Sequence, residues 1–132
     1  MVDLDNFKNV NDTLGHIYGD KAIADTGAEL SKIFKNDALV GRLGGDEFAV
    51  CSVYDAFDDE SLKEYIVKKA NQRSYTDGVN VVNITSSIGV SVAPKDGNDF
   101  ETIYKKADSA LYHSKNTGKD RYTLYNGELW KK

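Results

Sequence analysis

Apolar and polar positions alternate most clearly between residues 82 and 92. Val82, Ile84, Ser86, Ile88, Val90 and Val92 take one side there, and Asn83, Thr85, Ser87, Gly89 and Ser91 the other. A period of two is the mark of a half-buried strand, and Pro94, the only proline, closes it. Two shorter apolar runs, residues 38–41 and 48–51, flank Gly44-Gly45. They read as a β-hairpin, because glycine supplies the positive φ of a tight turn. Residues 1–5 read as the end of a strand with Asp3 and Asp5 on one side of it, so further residues are expected upstream. Residues 121–125 read as an edge strand.

Between these runs the spacing becomes helical. Phe7, Val10 and Leu14 mark a short helix ending at Gly15, and Ile23, Gly27, Leu30, Ile33 and Phe34 a second, opening at Gly19-Asp20. Leu62, Tyr65, Ile66 and Ala70 mark a third, opened by Asp58-Asp59-Glu60. Phe100, Ile103, Tyr104, Ala107 and Leu111 mark a fourth, capped by Asn98-Asp99 and stopped at Gly118. Gly27, at about 1 kcal/mol against alanine within a helix, points to close approach of another backbone. The order strand, helix, helix, hairpin, helix, strand, helix, strand predicts an α+β fold with a largely antiparallel central sheet flanked by helices.

Composition narrows the function classes. A chain of 132 residues with 40% apolar content fits one domain with one core. Twenty-one acidic residues against 17 basic give a net charge of −4, which argues against nucleic acid or an anionic membrane as the main partner. There is no apolar run of membrane length and no signal-peptide pattern, so a cytoplasmic domain without membrane contact is expected. The single Cys51 is expected to be a small buried residue, and His16 and His113 do not suggest zinc.

The candidate chemistry lies at the hairpin tip. If the first strand neighbours the hairpin, Asp3 converges with Asp46 and Glu47. Three carboxylates in one place call for a hard divalent cation, and Mg²⁺ characteristically shares its shell with substrate phosphates. Lys115 and Lys119, four residues apart on one helical face, can meet a triphosphate as point charges or simply line a solvated helix end. Asn11 and Asp20 suit guanine, a carboxylate accepting from its N–H groups and an amide meeting O6 or N7; they equally suit a turn and a helix cap. There is no Walker loop, no GxGxxG and no EF-hand spacing.

Five ordered blocks then carry a resemblance. Asp3-Leu4-Asp5-Asn6-Phe7-Lys8-Asn9-Val10-Asn11-Asp12, Gly15 to Asp20, Arg42-Leu43-Gly44-Gly45-Asp46-Glu47-Phe48, Ser87 to Ser91, and Ala107 to Tyr122 closely resemble the GGDEF family of diguanylate cyclases. The resemblance implies a fold like the palm of nucleotidyl cyclases and polymerases. It implies that two GTP condense to cyclic di-GMP with release of two pyrophosphates, dependent on Mg²⁺ or Mn²⁺, between two domains of a homodimer. By position, Asp3, the Leu4 carbonyl, Asp46 and Glu47 would serve the metal, with Asp46 and Glu47 also catalytic. Gly44 and Gly45 would let backbone approach the nucleotide. Asn11 and Asp20 would read guanine; His16, the Phe7 and Lys8 amides, Lys115 and Lys119 would complete the substrate site. The domain would span residues 1–126, with 127–132 a tail, and would answer to an N-terminal sensory or regulatory domain of the parent protein.

The chain departs from that pattern in three places. The family's helical D-x-L-T-x-L-x-N-R segment before the first strand is not in the sequence. Lys35 and Ala38 stand at the positions of the inhibitory R-x-x-D, with Asp37 out of register, so weak or absent product inhibition at that site is expected. Lys119 stands where many members have arginine. A catalytically silent domain that binds GTP or dimerises within a larger regulator is the competing reading.

Overall fold

The computed structural model describes residues 1–34, 38–52 and 72–126. The helix expected over residues 58–70, the Lys35 and Asp37 positions and the tail lie outside the described residues.

Strand β1 (Val2–Asp5) places Val2 and Leu4, each 2% exposed, in the core and turns Asp3 and Asp5 to the opposite face. Asn6 then adopts a left-handed φ of 66°, which redirects the chain into α1 (Phe7–Leu14). Gly15, at φ 98°, ends α1 with its amide on the Asn11 carbonyl at 3.0 Å and starts α2 (His16–Ile33). The second helix thus begins before the expected Gly19-Asp20. Gly19 lies inside it, on a buried stripe with Ala22, Thr26 and Leu30, and Asp20 is an exposed helical residue rather than a cap.

Strands β2 (Leu39–Gly44) and β3 (Glu47–Cys51) form the expected hairpin, bulged between Arg42 and Gly44. Phe48 and Val50 pack toward α2. Cys51 alternates with them at the strand end and is exposed, contrary to the expectation of burial. Strand β4 (Arg73–Thr76), which the sequence pattern did not reveal, pairs with the first half of β5 (Val81–Val90). Their turn is held by Asp77 Oδ1, which accepts the Val79 and Asn80 amides at 2.9 and 2.8 Å. Helix α3 (Phe100–Asn116) opens on Asp99, whose side chain accepts the Thr102 amide at 2.8 Å. Strand β6 (Arg121–Leu124) follows and pairs in parallel with the second half of β5.

The sheet runs β2-β3-β1-β5-β4, with β6 beside the far end of β5. All pairings but that of β6 are antiparallel, so the α+β expectation of a largely antiparallel sheet with flanking helices holds. The apolar face of β1 and β5 (Val2, Leu4, Val82, Ile84, Ile88) packs with Val10 of α1 and with Ala22 and Leu30 of α2. Each such buried side chain contributes about 1.5–3 kcal/mol if it is large.

The opposite face carries α3, and here the approach is of backbone to backbone. A Cβ on Gly89 would lie 2.2 Å from both the Ala107 carbonyl oxygen and the Leu111 nitrogen. The close-approach glycine is therefore Gly89, not Gly27, whose Cβ would meet only the Phe48 ring edge at 3.5 Å. Contact this close leaves room for small residues, and the buried stripe of α3 is Ala107, Ala110, Leu111 and Ser114. Phe100, expected on that stripe, is 75% exposed because β5 ends before the first turn of α3, and its ring instead packs tilted against that of Tyr104, centroids 5.7 Å apart.

Candidate active site

The centre of the sheet brings the opening strand and the glycine turn together. Asp3 stands opposite Glu47 in the antiparallel β1–β3 register, and the Leu4 amide donates to the Asp46 carbonyl at 3.1 Å. The tip itself needs its glycines: Gly44 and Gly45 have φ of 149° and 51°, backbone that side-chain-bearing residues seldom adopt. Arg42 Nε closes the turn on the Gly45 carbonyl at 2.9 Å. Beyond its chain neighbours, no group among the described residues lies within 4 Å of where a Cβ would stand on either glycine, so the described structure leaves the tip open on that side.

The electrostatics follow from this crowding. Partial burial pushes the Asp3 carboxyl up to about 6. Lys115 pulls it the other way, while the charges of Asp46 and Glu47 and a hydrogen bond with Asp46 add to the rise. No three His, Cys, Asp or Glu side chains among the described residues are grouped to hold a metal by themselves. The donor set nonetheless suits a hard cation: carboxylate oxygens of Asp3 and Asp46 beside the Leu4 carbonyl. A positive charge already stands among them. Lys115 Nζ reaches across from α3 to lie 3.6 Å from Asp3 Oδ2 and donates to the Leu4 carbonyl at 3.3 Å.

The firmest partner of Lys115 is Asp5, at 2.7 Å. Asp5 is buried, 3% exposed, and also accepts Thr85 Oγ1 at 2.5 Å, Ser87 Oγ at 2.8 Å and the Asp120 amide at 3.2 Å. Burial works against its charge, but the bonds from Lys115, Thr85 and Ser87 outweigh this and hold its carboxyl below the usual range. The sequence pattern placed Asp5 beside Asp3 without assigning it a part.

Lys119 is not on the helical face with Lys115. Helix α3 ends at Asn116, and Lys119 is exposed in the following turn at a left-handed φ of 61°, its amide returned to the Ser114 carbonyl at 2.9 Å. On the other side of Asp5, Phe7 and Lys8 open α1, where the first amides have no carbonyl within the helix to receive them. The first turn of α1 carries no acidic residue and its N-cap makes no side-chain bond, so no group within the helix or its cap offsets the positive end of the helix dipole. Asn11, on the last turns of α1, folds its side chain over α2: a Cβ on Gly19 would sit 1.8 Å from Asn11 Oδ1. That places Asn11 one residue from Asp20. His16 is exposed at the start of α2. Gly19 is a residue sequence reasoning passed over; it was read only as part of a helix start.

Comparison with known proteins accords with this geometry. Residues 1–121 match the family model described as diguanylate cyclase, GGDEF domain. Diguanylate cyclase A of Treponema denticola is 36% identical over 130 residues, covering 98% of this chain and 35% of its own length. Cyclic di-GMP phosphodiesterase PdeR of Escherichia coli is 30% identical over 131 residues, covering 97% of this chain and 19% of its own. The chain thus spans about a third or less of these relatives. The crystal structure of the GGDEF domain of YfiN (TpbB) from Pseudomonas aeruginosa superposes with a TM-score of 0.82 at 29% identity, over 95% of this chain and 79% of that one. The fold is that of the nucleotidyl cyclase palm, and the chain belongs to the GGDEF domain family.

Proposed function

We propose that this domain is the cyclase unit of a diguanylate cyclase, condensing two GTP into cyclic di-GMP between two facing copies. The observation that carries the reading is the convergence of Asp3 with Asp46 and Glu47 across the β1–β3 pairing, with Lys115 beside the Asp3 carboxylate.

Asp3, Asp46 and the Leu4 carbonyl are the residues that would hold Mg²⁺, and Glu47 either joins them or accepts a proton at the tip. When bound, such a cation neutralises phosphate charge and favours the ionised form of an attacking hydroxyl. The chain's own groups do the rest. Asn11 and Asp20 read the guanine edge, and the Asp20 carboxylate disfavours adenine, whose N1 carries no proton to donate. The Phe7 and Lys8 amides and the two lysines hold the triphosphate with its α-phosphorus at the open glycine tip. The 3′-hydroxyl of each GTP then attacks the α-phosphate of the other. A phosphodiester bond forms and the bond to pyrophosphate breaks, twice per cycle, which requires two domains face to face.

The silent-module reading keeps one observation in its favour: a relative matched over nearly all of this chain is named for a phosphodiesterase. Incubation of the full-length protein with GTP and Mg²⁺, followed by nucleotide chromatography, separates the two. Cyclic di-GMP from the wild type but not from Asp46→Ala supports the cyclase. GTP binding without product, at protein concentrations high enough to dimerise, supports the module.

A further inference from the structure

We infer that Asp5 is a positioning residue: it anchors both lysines proposed to hold the triphosphate, and it is not itself a metal ligand. The inference rests on the site reading above and adds to it the group that sets where the cations stand.

The acceptor capacity of Asp5 is already used up. An ionised carboxylate offers about four lone-pair sites. Oδ1 of Asp5 receives Ser87 Oγ and Lys115 Nζ, and Oδ2 receives Thr85 Oγ1 and the Asp120 amide. Four donors fill four sites, and none is left for a cation. Asp3, two residues earlier on the same face, is by contrast only half-buried, with Lys115 at a looser 3.6 Å.

The four donors come from three places: β5, α3 and the turn before β6. Asp5 therefore ties the end of β1 to each. Its hold on Lys115 fixes an otherwise flexible ammonium and draws it toward Asp5 rather than fully onto Asp3 and the Leu4 carbonyl. Its hold on the Asp120 amide fixes the left-handed pair Lys119 and Asp120 (φ 61° and 49°), and so the base from which the Lys119 side chain projects. One buried carboxylate registers both positive charges against β1, the strand that carries Asp3.

The test is binding to the full-length protein of two probes in Mg²⁺. One is a GTP analogue with a methylene bridge between the α- and β-phosphorus; the other is guanosine, which has no phosphate. Asp5→Asn keeps shape but turns an amide donor toward other donors. It is expected to weaken the analogue about tenfold or more and leave guanosine unchanged. Lys115→Met is expected to show the same selective loss, and the double variant is expected to lose clearly less than the sum of the two. Equal loss of guanosine, full additivity with Lys115→Met, or an unchanged analogue affinity in Asp5→Asn would each overturn the inference. Should Asp5→Asn not fold, Thr85→Val removes one donor and leaves the carboxylate. A loss of a few-fold for the analogue alone, smaller in the Lys115→Met background where only the turn of Lys119 is left to anchor, supports the inference, and no loss overturns it. A wild-type protein that binds neither probe overturns the site reading itself, whereas wild-type binding with an indifferent Asp5 overturns only the anchor.

Discussion

Gly19 separates the fold from the reading of the base more cleanly than any other position. A Cβ there would stand 1.8 Å from Asn11 Oδ1, so in Gly19→Ala the amide must retreat by more than about 1 Å to restore contact distance. What blocks the methyl is the far end of a side chain, not backbone, so the helix need not move. Alanine for glycine inside a helix favours folding by up to about 1 kcal/mol, which offsets the cost of rotating Asn11. The variant is therefore expected to melt within a few degrees of the wild type. The base contact has no such compensation. Losing one hydrogen bond to guanine costs about 1 kcal/mol, and leaving a polar partner unpaired costs more, so GTP affinity is expected to fall about tenfold. Calorimetric titration with the methylene-bridged analogue measures this, with Asn11→Ala as reference. The double variant is expected to be no worse than either single one. Unchanged affinity with an intact fold would refute the claim that Asn11 meets the base, and a large drop in melting temperature would refute the claim that only a side chain is displaced.

Two further outcomes follow from the same coordinates. Gly89→Ala forces a methyl to 2.2 Å from backbone atoms of α3 that cannot rotate away; a loss of about 3 kcal/mol or more is expected by denaturant titration, and a loss below about 1 kcal/mol would show that α3 is not seated on β5. Asp3 has a folded-state pKa of about 6 against an ordinary 3.8, so the folded state binds its proton more tightly than the unfolded one and stability falls as pH rises through that window. Without divalent metal, Asp3→Asn is thus expected to raise the melting temperature by a few degrees at pH 7, with the gain shrinking toward pH 4; a gain that does not change with pH would contradict this.

Much of the fold was legible because its signals are local. The period-two run of β5, the glycine-tipped hairpin and the Asp99 cap all depend on neighbours in sequence. What escaped depended on distant partners. Strand β4 has four residues and one buried apolar side chain, Tyr75, too short a run to show alternation, although the Asp77-Gly78 turn before β5 was a usable sign of a hairpin. The stripe of α3 was misread at Phe100 because nothing in its spacing says where the strand beneath it stops. Cys51 was misplaced because its run continues β3 to the last paired residue, beyond the core. In the site, the Asp46-Glu47 pair announced itself, but the part played by Asp5 is written in residues 80 to 115 positions away. The turn holding Lys119 is likewise stabilised by contacts back to β1 and α3, so helical spacing carried the prediction one turn too far.

A cation shared by β1 and the glycine tip is what the proposed chemistry requires. Anomalous diffraction from crystals of the full-length protein grown with Mn²⁺ and the methylene-bridged GTP analogue tests this directly. The expected result is a peak about 2.0–2.3 Å from carboxylate oxygens of Asp3 and Asp46 and from the Leu4 carbonyl, with Lys115 still on Asp5. A peak away from Asp3, with Lys115 covering that carboxylate instead, would contradict the account.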